Sequence, residues 1–499
     1  MTLRPWPALV LALALAAALL SVFKLEQGRA GLVTIDLMVG TTPATVWQRP
    51  QESTGPVVVI AHGFAGSRQL MLGFAQTLAQ AGYIAVSYDL EGHGRNAVPM
   101  SGDVTSVDGT TRLLVEELNR VIDASLALPG ADGRLAIVGH SMASDIIVRQ
   151  AIADPRVAAA VAVSMFSTAV TADEPRNLLI IDGALEGTLA QEALRVLHLT
   201  DPAAGIGQTI GDPAQGTGRR AVLAPSVEHV GVLYSPTTLT ETRNWLDATF
   251  GLQSDTPVAV RGGWIVLLIV SVTALAWPLA QLAQPLRATQ PPVRLPRRTF
   301  LAATLVPMIV TPLLLWPFNI GFLPVLVADY LAVHFAVFGL LGLVFVIRAK
   351  ALRFDSFSLL LAIPIAFFCI VVFGGMLDRY VASFFAVNAR IWIILAIAMG
   401  AIPFMLADAY LTEGGRAPLW RVLVVRTSAL ASIGIAVALD FEGLFFLILI
   451  LPIILVFFIL FGTLAGWVGR ATQRPLAAGI GLGIFLGWAL GMTFPLFAV

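Results

Sequence analysis

The sequence predicts an α/β fold with a doubly wound, mostly parallel sheet, followed by an all-α transmembrane bundle. Three observations predict it. Strand-like and helix-like segments alternate through residues 31–250, and Pro56-Val-Val-Val-Ile-Ala61 is apolar without a break, as a strand buried on both faces requires. Long apolar segments then recur to the end of the chain. Finally, a formal net charge of zero hides a split: residues 1–256 hold 16 Lys/Arg against 24 Asp/Glu, and residues 257–499 hold 15 against 7. Of the 499 residues, 57% are hydrophobic and 12% charged, about half the charge of a soluble protein. Neither half has a basic run suited to nucleic acid.

In chain order, residues 1–30 read as an N-terminal anchor. The 17 residues Pro7–Phe23 are apolar except Ser21, with Arg4 before and Lys24 after. That length sits at the lower limit of a spanning helix and suits an uncleaved signal anchor, cleavage near Ala30 being the alternative. Residues 31–251 form the α/β unit. Strands are expected at 32–39, 44–47, 56–61, 83–88, 135–138, 157–163, 178–181 and 220–224. Helices are expected at 70–81, 110–128, 145–152, 188–198 and 236–250, with a Gly/Pro-rich loop at 200–218.

Residues 252–262 are a linker, and 263–499 a membrane domain of eight segments: 263–284, 299–318, 322–347, 357–376, 390–411, 420–439, 443–466 and 476–497. Arginines alternate with these segments: Arg287, Arg294, Arg297 and Arg298; Arg348, Lys350 and Arg353; Arg416 and Arg421; Arg470 and Arg474. Only Arg379 and Arg390 flank an intervening loop. The positive-inside rule puts these clusters with Arg4 in the cytoplasm and the α/β unit outside it. The Ala/Arg-rich, Lys-poor composition suggests a bacterial inner membrane. Cys369 has no partner for a disulfide. Nothing in the chain specifies an oligomeric state.

Three motifs fall at strand ends, where open parallel sheets place their sites. His62-Gly63-Phe64-Ala65-Gly66 follows the third strand, and Asp89-Leu-Glu-Gly-His-Gly94 the fourth. The run Leu135-Ala-Ile-Val-Gly139-His140-Ser141-Met142-Ala143 is strand, tight turn and helix start with serine at the apex. It is a G-x-S-x-G elbow whose last glycine is Ala143. In order and spacing these motifs resemble those of an α/β-hydrolase, over residues 31–250.

The resemblance implies the following roles. Ser141 is the nucleophile and His229, after the last strand, its base. Glu186 falls where the family places the acid that orients the base; Asp182, at the end of the preceding strand, is the alternative. The backbone N–H groups of Phe64 and Met142 form the oxyanion hole, supported by His62, Gly63 and Gly139. His62 is expected to brace the oxyanion loop, and His93 and His140 to be structural. His198 sits at a helix end, and Glu228, next to His229, is a candidate second acid that points away if the local backbone is extended. No cofactor and no metal site is expected.

Only 14 residues, 164–177, separate the strand ending at Val163 from the next, too few for a sizeable cap. Loop 200–218 or the membrane domain is then the candidate cover. Within the bundle, Asp329 and His334 do not share a helix face, and Asp408 and Arg426 read as segment-end residues. The function expected is a membrane-bound serine hydrolase cleaving lipid or other hydrophobic acyl esters outside the cytoplasm, with the lipid bilayer as partner. A peptidase or acyltransferase of the same fold is the first alternative, and a non-catalytic module of a transporter the second.

Overall fold

The structure is a computed structural model and describes residues 5–50, 54–101, 103, 106–282 and 293–498. Arg4 and Arg287, used above for orientation, lie outside these. The chain divides into two compact units. One comprises Ser21–Val266, Leu377–Ser383 and Pro495–Val499; the other Met1–Leu20, Leu267–Met376 and Phe384–Phe494.

The first unit is built on a nine-stranded sheet: β1 (Val33–Val39), β2 (Thr42–Gln48), β3 (Gly55–Ala61), β4 (Ile84–Tyr88), β5 (Ala131–His140), β6 (Val157–Val163), β7 (Leu178–Gly183), β8 (Thr209–Ile210) and β9 (Arg219–Ala224). Their order is β1-β2-β4-β3-β5-β6-β7-β9-β8. The strands from β4 to β9 in that order run parallel, while β1, β2 and β8 are antiparallel additions at the two edges. The helices here are α1 (Pro5–Gln27, whose end belongs to this unit), α2 (Leu72–Ala81), α3 (Arg112–Leu126), α4 (Met142–Ala153), α5 (Gly187–Thr200) and α6 (Pro236–Phe250).

Why β3 and β5–β7 sit centrally follows from composition. Val57, Val58, Val59 and Ile60 are fully buried, as are Ile137, Val138, Val161, Leu179 and Ile180. Such strands exclude water only with helices on both faces. One face packs Val58, Ile60, Val138, Val161 and Leu179 against Phe74 and Leu78 of α2 and Trp245 and Leu246 of α6.

Among the described residues, nine helices are long and apolar enough to cross a membrane: Pro5–Gln27, Gly262–Leu282, Arg297–Leu315, Ala328–Arg348, Ser356–Tyr380, Asn388–Leu411, Leu419–Leu439, Leu447–Thr472 and Pro475–Thr493. Several boundaries differ from the sequence reading, among them Leu447–Thr472 for the segment expected at 443–466, and two of the differences have clear local reasons. The segment expected from 322 becomes helical only at Ala328: Pro324 supplies no N–H, and Asp329 accepts from the Phe322 N–H 2.9 Å away, holding a turn before the helix. The last helix stops at Thr493 rather than 497. Pro495 disfavours a helical Phe494, which adopts φ −67°, ψ 132°.

Within the helical unit, Pro475–Thr493 carries Gly479, Gly483, Gly487 and Gly491 at four-residue spacing. A Cβ on each would lie 2.8, 2.5, 2.5 and 3.0 Å from the Cα atoms of Leu406, Ile402, Ala398 and Ile394. The two backbones therefore meet along a small-residue seam, the means by which helices associate where burial from water gives no drive. Arg390 is fully buried and donates to the Phe494 and Gly491 carbonyls at 2.6 and 3.2 Å, placing a cation at that helix's C-terminus. Asp408 and Arg426 are not solitary segment-end residues: they pair at 3.3 Å, and Arg426 also reaches the Phe458 carbonyl. His334 meets the Ser432 hydroxyl at 3.0 Å.

Candidate active site

The strand order lines up six loops at the C-terminal edge of the sheet. In spatial sequence they follow β4 (residues 89–101), β3 (62–66), β5 (Ser141), β6 (Ser164), β7 (184–186) and β9 (225–230). Residues far apart in the chain are thus brought together by strand neighbourhood.

Ser141 stands between β5 and α4 with φ 55° and ψ −118°, a backbone state that non-glycine residues rarely adopt. Its N–H donates to the Val163 carbonyl at 2.9 Å, which ties the turn to β6. Two glycines make the turn possible. A Cβ on Gly139 would lie 2.5 Å from the Ala143 carbonyl oxygen, and one on Gly63 would lie 2.9 Å from the Ser141 Cβ. Ala143 is itself fully buried, so its single methyl fits where the motif usually has glycine.

His229 lies with Nε2 2.8 Å from the Ser141 Oγ and Nδ1 2.5 Å from the Glu186 Oε1. The loops bearing the two partners are stitched together: the Ala184 N–H donates to the Ala224 carbonyl and the Leu185 N–H to the Val227 carbonyl. The second oxygen of Glu186 accepts from the Ser164 hydroxyl at 2.8 Å and the Gly183 N–H at 2.6 Å. Burial raises the Glu186 carboxyl, but the hydrogen bonds from His229, Gly183 and Ser164 outweigh it and hold the group below its ordinary value. It is an anion held in place at both oxygens.

Asp182 sits elsewhere. Its Oδ1 accepts from the Met165 N–H at 2.9 Å, and its Oδ2 has no hydrogen-bond partner among the described residues. Burial pushes it up to about 7 against that hydrogen bond, and the Glu186 charge adds to the rise. His140 places Nε2 2.9 Å from the His229 carbonyl oxygen and so braces the loop that carries His229. Burial first, and the nearby His229 second, lower His140 to about 3, so it is a neutral Nε2–H donor.

Met142 follows Ser141 directly in the chain. Met142 opens α4, where N–H groups have no acceptor within the helix, and Phe64 follows the glycine that packs on the serine. His62 donates from Nδ1 to the Gly63 carbonyl at 2.8 Å and accepts at Nε2 from the Leu90 N–H at 3.2 Å. It therefore holds the β3 loop to the β4 loop. His93 packs edge-on against Phe64, ring centroids 5.7 Å apart. His198 reaches the Ala204 carbonyl, and Glu228 caps its own turn through the Val230 and Gly231 N–H groups.

Residues 164–177 hold only turns and bends, and no cap. Loop 200–218 is not a cover either. Its strand β8 pairs with Arg219 and Arg220 at the start of β9, the opposite end of the sheet from His229. The side chain of His229 is 46% exposed. Next to the assembled groups, Phe166, Leu185 and Val230 present large apolar side chains to the surface, 60%, 68% and 48% exposed.

Sequence reasoning missed Ser164. It lies 22 residues from Glu186 and meets it because β6 and β7 are neighbours; a serine directly after an apolar strand was the available signal.

Sheet order, strained elbow serine and an adjacent histidine–carboxylate pair together define an α/β-hydrolase domain, fused in one chain to a set of long apolar helices. Residues 52–194 match the family model described as serine aminopeptidase, S33, a stretch that includes Ser141 and Glu186 and ends before His229. No curated protein matches the chain. Among solved structures, it is similar to the epoxide hydrolase VrEH1 of Vigna radiata, at 24% identity over 27% of this chain and 41% of that one, TM-score 0.22. A Klebsiella pneumoniae protein described as a dienelactone hydrolase matches at 16% identity over 44% of this chain and 98% of the other, TM-score 0.34. The chain spans about two fifths of the length of the epoxide hydrolase, and likenesses at these scores carry no argument about substrate.

Proposed function

We propose that the protein is a multi-pass membrane serine hydrolase that cleaves hydrophobic acyl esters on the non-cytoplasmic side of a membrane. The observation that carries this reading is the continuous relay Ser141–His229–Glu186, at 2.8 and 2.5 Å. His229 keeps a proton on Nδ1, shared with Glu186, and its free Nε2 accepts the Ser141 proton as Oγ attacks the ester carbonyl carbon. The tetrahedral oxyanion is received by the Phe64 and Met142 N–H groups; removing one such donor typically costs about 10²–10³ in rate. The imidazolium then returns its proton to the departing alcohol. Water, deprotonated by the same nitrogen, releases the acid from the acyl-serine.

Three features support a hydrophobic ester. The stretch 164–177 forms no cap, the neighbours Phe166, Leu185 and Val230 are apolar and exposed, and the chain carries many apolar helices. Sidedness is supported by counting. If all nine helices cross, the connections 28–261 and 381–387 and the residues after Thr493 fall on one side; of the two short segments that group with the α/β unit, Pro495–Val499 is drawn from there and Leu377–Ser383 runs into it from the end of the helix Ser356–Tyr380. The alternating arginines, by the positive-inside rule, support that side as the outer one.

A peptidase is the second reading, favoured by the description of the matching family. A panel of p-nitrophenyl esters of rising chain length beside aminoacyl p-nitroanilides separates the two. The ester reading predicts turnover that rises with chain length and negligible anilide cleavage; efficient anilide cleavage with poor ester turnover would replace it with the peptidase. Acyl transfer to an added alcohol is read in the same assay as alkyl ester product.

A further inference from the structure

We infer that two short segments attached to the apolar helices, residues 377–383 and 495–498, are positioning elements of the Ser141 site, so that acylation requires them. The inference rests on the reading of Ser141 as nucleophile.

The C-terminal residues add a piece of strand to the loop after β4. The Leu496 N–H donates to the Gly92 carbonyl at 2.8 Å, the Met100 N–H to the Leu496 carbonyl at 2.9 Å, and the Ala498 N–H to the Met100 carbonyl at 2.7 Å. Met100, Leu496 and Phe497 are 1%, 2% and 4% exposed, so this is a packed junction. Gly92 has φ 76°, and a Cβ there would collide with the Leu496 carbonyl oxygen. The other segment grips the same region. Asp378 pairs with Arg95 at 2.7 Å, and Ser383 donates through its N–H to the Ser67 hydroxyl and through its own hydroxyl to Gln69, each at 3.0 Å.

What these contacts hold is the oxyanion side of the site. Asp89 accepts from the Arg68 and Arg95 N–H groups at 2.8 and 3.1 Å, locking the β3 and β4 loops together. The Leu90 N–H bonds His62, His62 bonds the Gly63 carbonyl, and Gly63 packs on Ser141. His93, in the clasped loop, packs on Phe64. A path from Leu496 to Phe64 therefore runs through the loop 89–101. Without the tail, the Gly92 carbonyl and both backbone groups of Met100 lose these partners at a buried junction, which favours rearrangement of that loop. An oxyanion donor displaced by an ångström loses most of its effect.

The test uses the full chain in nanodiscs, comparing wild type with Leu496→Pro, a chain ending at Phe494, and Arg95→Asp and Asp378→Arg singly and together. Three quantities are read: the rate of fluorophosphonate labelling, kcat and KM for a p-nitrophenyl ester, and inhibition by a trifluoromethyl ketone, whose hemiketal oxyanion needs the same N–H donors. The expected result is at least a tenfold loss in kcat and labelling rate for Leu496→Pro and for the shortened chain. Ketone affinity falls in parallel, KM changes little, and the charge-swapped pair recovers most of what either single variant loses. Wild-type kcat and ketone affinity in folded Leu496→Pro and shortened chains would overturn the inference. If those two chains do not fold, the swap decides, and losses that simply add in the double variant overturn it. Absence of labelling in the wild type would instead remove Ser141 as nucleophile, a separate failure.

Discussion

The Ser164 hydroxyl donates to Glu186 at 2.8 Å, on the oxygen opposite the one that faces His229. The carboxylate is thereby held at both ends, and its plane is set before any substrate arrives. Replacing Glu186 by Gln leaves the shape but reverses the proton preference at His229, and kcat should fall on the order of 10⁴-fold. Ser164→Ala removes one bond to a charged group, roughly 1.5 kcal/mol, and should cost about tenfold. Asp182→Asn, which leaves the relay untouched, should stay within a few-fold of wild type. Steady-state ester hydrolysis ranks the three, and a larger loss for Asp182→Asn than for Glu186→Gln would reassign the acid.

Asp182 predicts a pH effect on stability rather than on chemistry. Burial holds it at about 7 in the folded chain, against about 3.9 in the unfolded one. The folded state binds the extra proton between these values, so stability is full below about pH 4 and declines as pH rises toward 7. Glu117, buried and also pushed up to about 7, acts with the same sign. Thermal melts at pH 4.5, 6 and 8 should show the decline shrink in Asp182→Asn and shrink further with Glu117→Gln added. An unchanged slope in the double variant would contradict the burial argument.

The elbow makes unequal demands on its small residues. Ala143→Gly restores the commoner motif and should leave activity within a few-fold. Gly63→Ala pushes a methyl against the Ser141 Cβ, and should lower the labelling rate at least a hundredfold while circular dichroism stays that of wild type. Equal labelling rates for these two variants would show that the β3 loop does not pack on the serine as described.

In the helical unit, Gly483→Leu forces a side chain against the Ile402 backbone, whereas nothing lies within 4 Å of a Cβ added to Gly434. Overpacking of this kind costs typically about 1–3 kcal/mol. The solubilised Gly483→Leu chain should melt clearly below wild type and Gly434→Ala close to it. Matching melting temperatures for both would argue against the glycine seam.

These contrasts show which features a sequence reveals. The elbow, the His62-Gly63 loop and the strand run Pro56–Ala61 are legible because each is a local pattern with its own backbone requirement. Glu186 and His229 are legible through their place after successive strands. Ser164 and the bracing of His229 by His140 are not, because both contacts arise from strand neighbourhood. The Asp408–Arg426 pair spans two helices and is invisible to hydropathy, which sees only two charges near segment ends. The tail 495–498 is hidden for the opposite reason: Phe494, Leu496 and Phe497 continue the apolar pattern of the helix before them, and only Pro495 hints that the helix has stopped. The glycines at 479, 483, 487 and 491 stood at a readable spacing, yet the partner backbone they fit is set by packing.

The central claim is that Ser141 is the residue that takes up the acyl group. Labelling the full-length chain in nanodiscs with a fluorophosphonate, followed by peptide mass mapping, tests it most directly. The account predicts one adduct, on Ser141, lost in Ser141→Ala and slowed strongly in His229→Ala; undiminished labelling of Ser141→Ala, or an adduct mapped to another residue, would contradict it.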